Sequence, residues 1–177
     1  MKPGMTSNAT RPAIGEEHSL TADLRRRWGR IEPGRVCLMG VGDDTLGDDG
    51  FGVRLAEAML AVRSFRVIRA GSSPERFIGQ VLELDVDHLV FLDAVECGAM
   101  PGTVVFLDAA EIESRFPQWS THKLSLGLLA QYIEASSAIR TWLLGVQPES
   151  LQPRPGLSPA IQTALDILKG VLLEVLG

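Results

Sequence analysis

The chain has 177 residues, 45% hydrophobic and 22% charged, with a formal net charge of −5 and a pI near 5.2. This length supports one core and leaves too little chain for two. The acidic balance argues against nucleic acid or an anionic membrane as the main partner. No apolar run approaches the roughly eighteen residues of a membrane span and the N-terminus shows no secretory h-region, so neither insertion nor export is expected.

Residues 1–33 are polar, contain Pro3, Gly4, Pro12 and Gly15, and end in the basic stretch Leu24–Arg30. They read as a flexible N-terminal extension with one short helix over Leu20–Trp28, preceding a single domain at 34–177. Arg25, Arg26 and Arg27 read as a solvated helix face, with contact to an acidic partner as the alternative. Arg35–Met39 is a strand, and its Cys37 is a buried thiol. With only Cys97 besides, at most one bridge is possible, and the cytoplasm is the expected compartment. Asp49–Val62 follows as a helix with Phe51, Leu55, Met59 and Val62 along one face. Phe65–Ala70 is a second strand, and Pro74 sits near the first turn of a helix running to Leu84. His88–Asp93 is a third strand, apolar on both faces, and Thr103–Leu107 a fourth after the Pro101-Gly102 turn. A helix over Lys123–Ala135 leads to a fifth strand, Ile139–Gly145. Ser158-Pro159 then opens a C-terminal helix with the stripe Ile161, Leu165, Leu168, Leu172 and Val175. Strands alternating with helices predict an α/β fold: a mostly parallel sheet covered on both faces.

Between the first strand and its helix lie Asp43, Asp44, Asp48 and Asp49, interleaved with Gly40, Gly42, Gly47, Gly50 and Gly52. Such a glycine-rich turn commonly receives a phosphate through backbone N–H groups and the helix dipole. Here carboxylates already occupy the position and would repel it, so the loop suits a cation. The dinucleotide fingerprint fails at Thr45, where its third glycine belongs, and no P-loop lysine, GxSxG elbow or HExxH is present.

Ligands of open α/β sheets gather beyond the carboxyl ends of the strands. Three residues are expected there: Asp49 after the first strand, Asp93 ending the third, and His122 opening the helix after the fourth. Two carboxylates and an imidazole suit a borderline divalent cation such as nickel, zinc, manganese or iron. Without thiolates they do not suit a closed structural zinc site. Each also has a plainer reading. Asp48 and Asp49 serve equally as helix N-terminal acids, worth roughly 0.3–1 kcal/mol each. Asp93 serves as a loop acid, and His122 as a surface residue beside the capping candidates Ser120 and Thr121. His88 and His18 are read as structural or incidental.

The segment GVGDDTLGDDGFGVRLAE (Gly40–Glu57) resembles the opening signature of the NiFe-hydrogenase maturation endopeptidases, a G-x-G-N loop followed by a D-D/E-G turn. The similarity continues in order through Gly71-Ser72-Ser73-Pro74-Glu75, VFLDAVECGAMPGTV (Val90–Val104), THKLSL (Thr121–Leu126) and LGVQPESL (Leu144–Leu151). It spans nearly everything from Arg35 onward. GDDG and THKLSL look most like the branch serving formate-hydrogenlyase-type, energy-converting hydrogenases. The resemblance implies a three-layer α/β/α sandwich with a twisted, mainly parallel five-stranded sheet. It also implies an endopeptidase that clips a C-terminal extension from a hydrogenase large-subunit precursor after nickel insertion. Carried over by motif, Asp49, Asp93 and His122 contact nickel that the substrate carries, and no permanent cofactor is expected.

One position departs from the pattern. Asp43 stands where the family has asparagine, and an ionised aspartate accepts hydrogen bonds but cannot donate. Either the donor contact is lost, or Asp43 is partly protonated among its acidic neighbours, or the loop holds its cation more tightly. If water is the nucleophile, Asp48 and Asp43 are the candidate general bases. Gln147 and Pro148 are expected to shape the groove wall. Two rivals share the ligand set: a non-catalytic nickel-sensing or metallochaperone module that binds the precursor, and a small hydrolase with its own permanent metal.

Overall fold

In the computed structural model, which describes residues 14–29, 32, 34–115 and 125–176, every predicted strand forms within a residue or two of its expected place. The strands are β1 (Val36–Val41), β2 (Phe65–Gly71), β3 (His88–Ala94), β4 (Val104–Asp108) and β5 (Arg140–Val146). They form one sheet in the order β2-β1-β3-β5-β4, parallel except for β4, which runs antiparallel to β5. All six residues of β1 are buried, as a central parallel strand covered on both faces requires.

Alternate residues of the central strands supply two separate cores. Val36, Leu38, Val90, Leu92, Trp142 and Leu144 face one side with α1 (Ile14–Trp28), α2 (Phe51–Met59) and α6 (Pro159–Leu176). Cys37, Met39, Leu89, Phe91 and Leu143 face the other with α3 (Ile78–Glu83), α4 (Ala109–Arg115) and α5 (Leu126–Ser136). The result is the expected three-layer α/β/α sandwich. Burial pushes the Cys37 thiol up to about 12, as befits an inert core residue.

The N-terminal segment differs from expectation. Helix α1 begins at Ile14 rather than Leu20, and Leu24 and Trp28 are core residues. Trp28 meets Phe106 edge-on at 5.2 Å, and Phe106 stacks on Trp142 at 5.1 Å. Arg27 lies over both rings, donates to the Phe106 carbonyl at 2.8 Å and pairs with Glu111. Arg25 reaches Glu174 of α6, and Arg26 pairs with Asp23 on its own helix. Arg27 is thus engaged on the aromatic edge of β4 and β5, while Arg25 and Arg26 stay on the solvated face that was expected. Apolar packing, invisible in the polar composition of this stretch, makes α1 part of the folded body.

Helices α2, α3 and α5 are shorter than their sequence patterns. A 3₁₀ turn at Gly47–Gly50 precedes α2, and another at Pro74–Phe77 precedes α3. Helix α5 starts at Leu126, capped by the Ser125 hydroxyl, which accepts from the Gly127 N–H at 3.2 Å. Ser120, Thr121 and His122 lie outside the described residues.

Candidate functional site at the carboxyl edge of the sheet

The acidic turn sits where the strand order reverses. From β1 the chain proceeds through α2 to β2 on one side, while β3 pairs with the other side of β1. This is the crevice in which α/β proteins bind ligands. Two glycines let the turn close down on the strand ends. Gly42 has a φ of +114°, and a Cβ there would overlap the Asp49 carbonyl oxygen. A Cβ on Gly52 would overlap the Leu92 carbonyl oxygen, so only glycine lets the start of α2 approach β3 this closely.

Asp49, 4% exposed, projects from the 3₁₀ turn. Its Oδ2 accepts from the Asp43 backbone N–H at 2.7 Å. Its Oδ1 is buried without a hydrogen-bond partner among the described residues. A buried acceptor left in this state costs about 1–3 kcal/mol. Asp93, 5% exposed, sits near the end of β3, the strand against which the turn packs. Two of the three sequence candidates therefore share one rim. His122 lies within 116–124, outside the described residues. Among the described residues no group of three or more His, Cys, Asp or Glu is arranged to hold a metal.

Asp48 has a different task from the one expected of a general base. It is fully buried. Oδ1 accepts from the Ser158 N–H at 2.6 Å; Oδ2 accepts from the N–H groups of Glu149 and Ser150 at 2.9 and 3.2 Å and from the Ser158 hydroxyl at 3.0 Å. Both oxygens are committed to tying the turn to the loop after β5 and to the residue preceding α6. Asp43 is likewise engaged. Its Oδ1 accepts the Thr45 hydroxyl at 2.7 Å and the Thr45 N–H at 2.9 Å. These contacts hold its carboxyl below the ordinary range, so it is ionised and a weaker base, not partly protonated. Both are acceptor contacts that an asparagine carbonyl would also make.

Gln147 fastens the far wall. Its Oε1 accepts from the Cys97 and Ala99 N–H groups at 2.8 and 3.3 Å, and its Nε2 donates to the Pro148 carbonyl at 3.1 Å. The loop between β3 and β4 is thereby fixed to the end of β5. Cys97 is a free thiol beside this latch. His88 is structural: its Nδ1 accepts from the Trp142 indole N–H at 3.1 Å, and burial lowers its pKa. No helix among the described residues is long and apolar enough to cross a membrane.

Sequence and structure comparisons agree with this architecture. The family model described as hydrogenase maturation protease (HycI) matches residues 52–175. The Hydrogenase 3 maturation protease of Escherichia coli K12 is 31% identical over 142 residues, spanning 75% of this chain and 88% of that protein. The Hydrogenase 2 maturation protease of the same organism is 29% identical over 140 residues, 75% and 84% of the two chains. The crystal structure of a NiFe hydrogenase maturation protease, HycI from Thermococcus kodakarensis KOD1, superposes with a TM-score of 0.75 at 27% identity. That match covers 89% of this chain and 98% of the other. The chain belongs to the hydrogenase maturation protease family.

Proposed function

We propose that this protein removes the C-terminal extension of a NiFe-hydrogenase large-subunit precursor after nickel insertion, and that Asp49, Asp93 and His122 engage the nickel carried by that substrate. The observation that carries the reading is the Asp49 carboxylate, buried at the switch point with one oxygen unpartnered among the described residues and Asp93 on the neighbouring strand. A carboxylate oxygen with no donor to satisfy it is a ready ligand for a cation brought in by the partner. An empty precursor offers no such cation, so docking and cleavage follow metallation.

In the hydrolysis, water's oxygen bonds to the scissile carbonyl carbon, the C–N bond breaks, and the departing amine takes a proton. The substrate's nickel serves as anchor and can polarise the carbonyl or the water. Asp48 does not serve as the base in this scheme, because its oxygens already hold four donors. The cytoplasm, where precursor and nickel meet before assembly, is the proposed compartment.

Intact mass of a nickel-loaded precursor, incubated with and without the protein beside a nickel-free control, tests the reading. Loss of a C-terminal peptide from the loaded form alone is expected. No loss from a verified loaded precursor would favour a binding-only module. Loss from both forms would remove nickel recognition. Full-rate cleavage by Asp49→Ala, Asp93→Ala and His122→Ala alike would refute the site assignment.

A further inference from the structure

An open cleft of about 560 Å³ lies at the carboxyl end of β2, lined by Ala70, Gly71, Ser72, Ser73, Arg76 and Phe77. It adjoins the acidic turn directly. The Gly42 N–H donates to the Gly71 carbonyl at 3.1 Å, and the next N–H, that of Asp43, donates to Asp49 Oδ2. On the opposite flank the loop after β3 is tied to the end of β5. There the Val95 N–H donates to the Val146 carbonyl at 2.8 Å and the Gly102 N–H to the Gln147 carbonyl at 2.9 Å, while Gln147 Oε1 holds the Cys97 N–H. A peptide that crosses the turn at Asp49 toward β2 enters this open cleft.

The chemistry of that space is distinctive. The turn presents Asp43, Asp44 and Asp49, which repel an anionic peptide. In the cleft, Arg76 is the one charged lining residue, and among the described residues no carboxylate lies within salt-bridge distance of it. Phe77 gives an apolar base, and the Ser72 and Ser73 hydroxyls can meet backbone groups. We propose that this cleft receives the extension on the leaving side of the scissile bond, with the Arg76 guanidinium holding a carboxylate of that extension. Arg76 is thus a specificity residue: it selects extensions that carry an acidic group. The inference rests on the endopeptidase reading above.

The test compares wild-type protein, Arg76→Glu and Arg76→Lys on a nickel-loaded precursor, with urea unfolding to confirm equal stability. Arg76→Glu is expected to lower kcat/KM by about 10-fold or more, mainly through KM, and Arg76→Lys to restore most of it. A precursor whose extension has Asn and Gln for every Asp and Glu should erase the difference between wild type and Arg76→Glu. Erasure only when the extension's C-terminus is amidated would assign the contact to the terminal carboxylate instead of a side chain. Equal kcat/KM for wild type and Arg76→Glu, or a loss that persists when both carboxylate sources are removed, overturns the proposal. Fluorescence anisotropy with a labelled synthetic extension peptide reads the cleft independently of cleavage. If wild-type protein cuts no loaded precursor the endopeptidase reading fails, whereas equal peptide affinity in wild type and Arg76→Glu sinks the cleft alone.

Discussion

Replacing Asp48 with asparagine separates its structural task from the catalytic one that its motif suggests. The side chain accepts four hydrogen bonds, three from backbone N–H groups of residues about a hundred positions away. An amide keeps one accepting oxygen. Turned so that this oxygen still meets Glu149, Ser150 and the Ser158 hydroxyl, it presents an NH₂ group to the buried Ser158 N–H. One orphaned donor costs about 1–3 kcal/mol, and three bonds lose their charge assistance, for a total of about 3–5 kcal/mol. That is a large part of the roughly 5–15 kcal/mol holding a domain together. Asp48→Ala, which strands all three N–H groups, should cost more. Urea unfolding followed by tryptophan fluorescence measures the loss, and amide exchange at Glu149, Ser150 and Ser158 should quicken. An Asp48→Asn protein within about 1 kcal/mol of wild type yet unable to cleave would refute the reasoning and return Asp48 to the role of a base.

Three further substitutions probe other parts of the account. Asp49→Asn can still accept from the Asp43 N–H, so the fold should persist. Cleavage of the nickel-loaded precursor should nonetheless fall by at least about 10–100-fold, the range seen even for groups one step removed from a metal; unchanged cleavage would remove Asp49 from the site. Trp28→Ala empties a buried position against Phe106 and Trp142 and should destabilise by about 3–5 kcal/mol in urea unfolding; a negligible loss would show α1 to be a dispensable appendage. His88 titrates in the unfolded chain near 6.5, and burial lowers that value in the fold. The folded state then binds fewer protons, so stability is full above about pH 6.5 and falls as the pH drops through that value toward the folded pKa. His88→Gln should flatten the slope of unfolding free energy between pH 7 and 5, and an unaltered slope would dismiss this contribution.

Much of the fold was legible because strand burial writes itself as uninterrupted apolar residues, as in Leu89–Leu92, and because Ser158-Pro159 marks a helix start without tertiary information. The N-terminal helix is less legible for a physical reason. Its polar, arginine-rich sequence resembles a solvated face, and only the Phe106–Trp142 surface that it covers reveals why Trp28 must be buried. Helix α4 escaped notice because Ala109–Arg115 is too short to show a period. At the site, residue type and strand-end position pointed to the acidic turn and to Asp93, which the structure places at the carboxyl edge of the sheet. They could not tell Asp48 from Asp49, adjacent carboxylates in one turn. That distinction depends on donors contributed by the segment from Glu149 to Ser158, which sequence proximity cannot supply.

This division of labour between adjacent acids bears on how a nickel checkpoint can work. Bringing Asp43, Asp48 and Asp49 into one turn is electrostatically unfavourable, and the structure offsets it with backbone N–H groups. Asp48 takes three and Asp49 one, while Asp43 takes the Thr45 N–H and hydroxyl. Each oxygen so engaged is less available as a ligand or base. Among the described residues, Asp49 Oδ1 is the oxygen of this turn that is buried without such compensation. In the proposed reading, the unfavourable term of about 1–3 kcal/mol that it represents is relieved when a cation arrives. In the proposed reading this makes the free protein stable enough to fold without the metal, yet biased by a fixed increment toward a metallated partner. A turn with every oxygen satisfied would lose that bias, and a turn with none satisfied would not hold its shape.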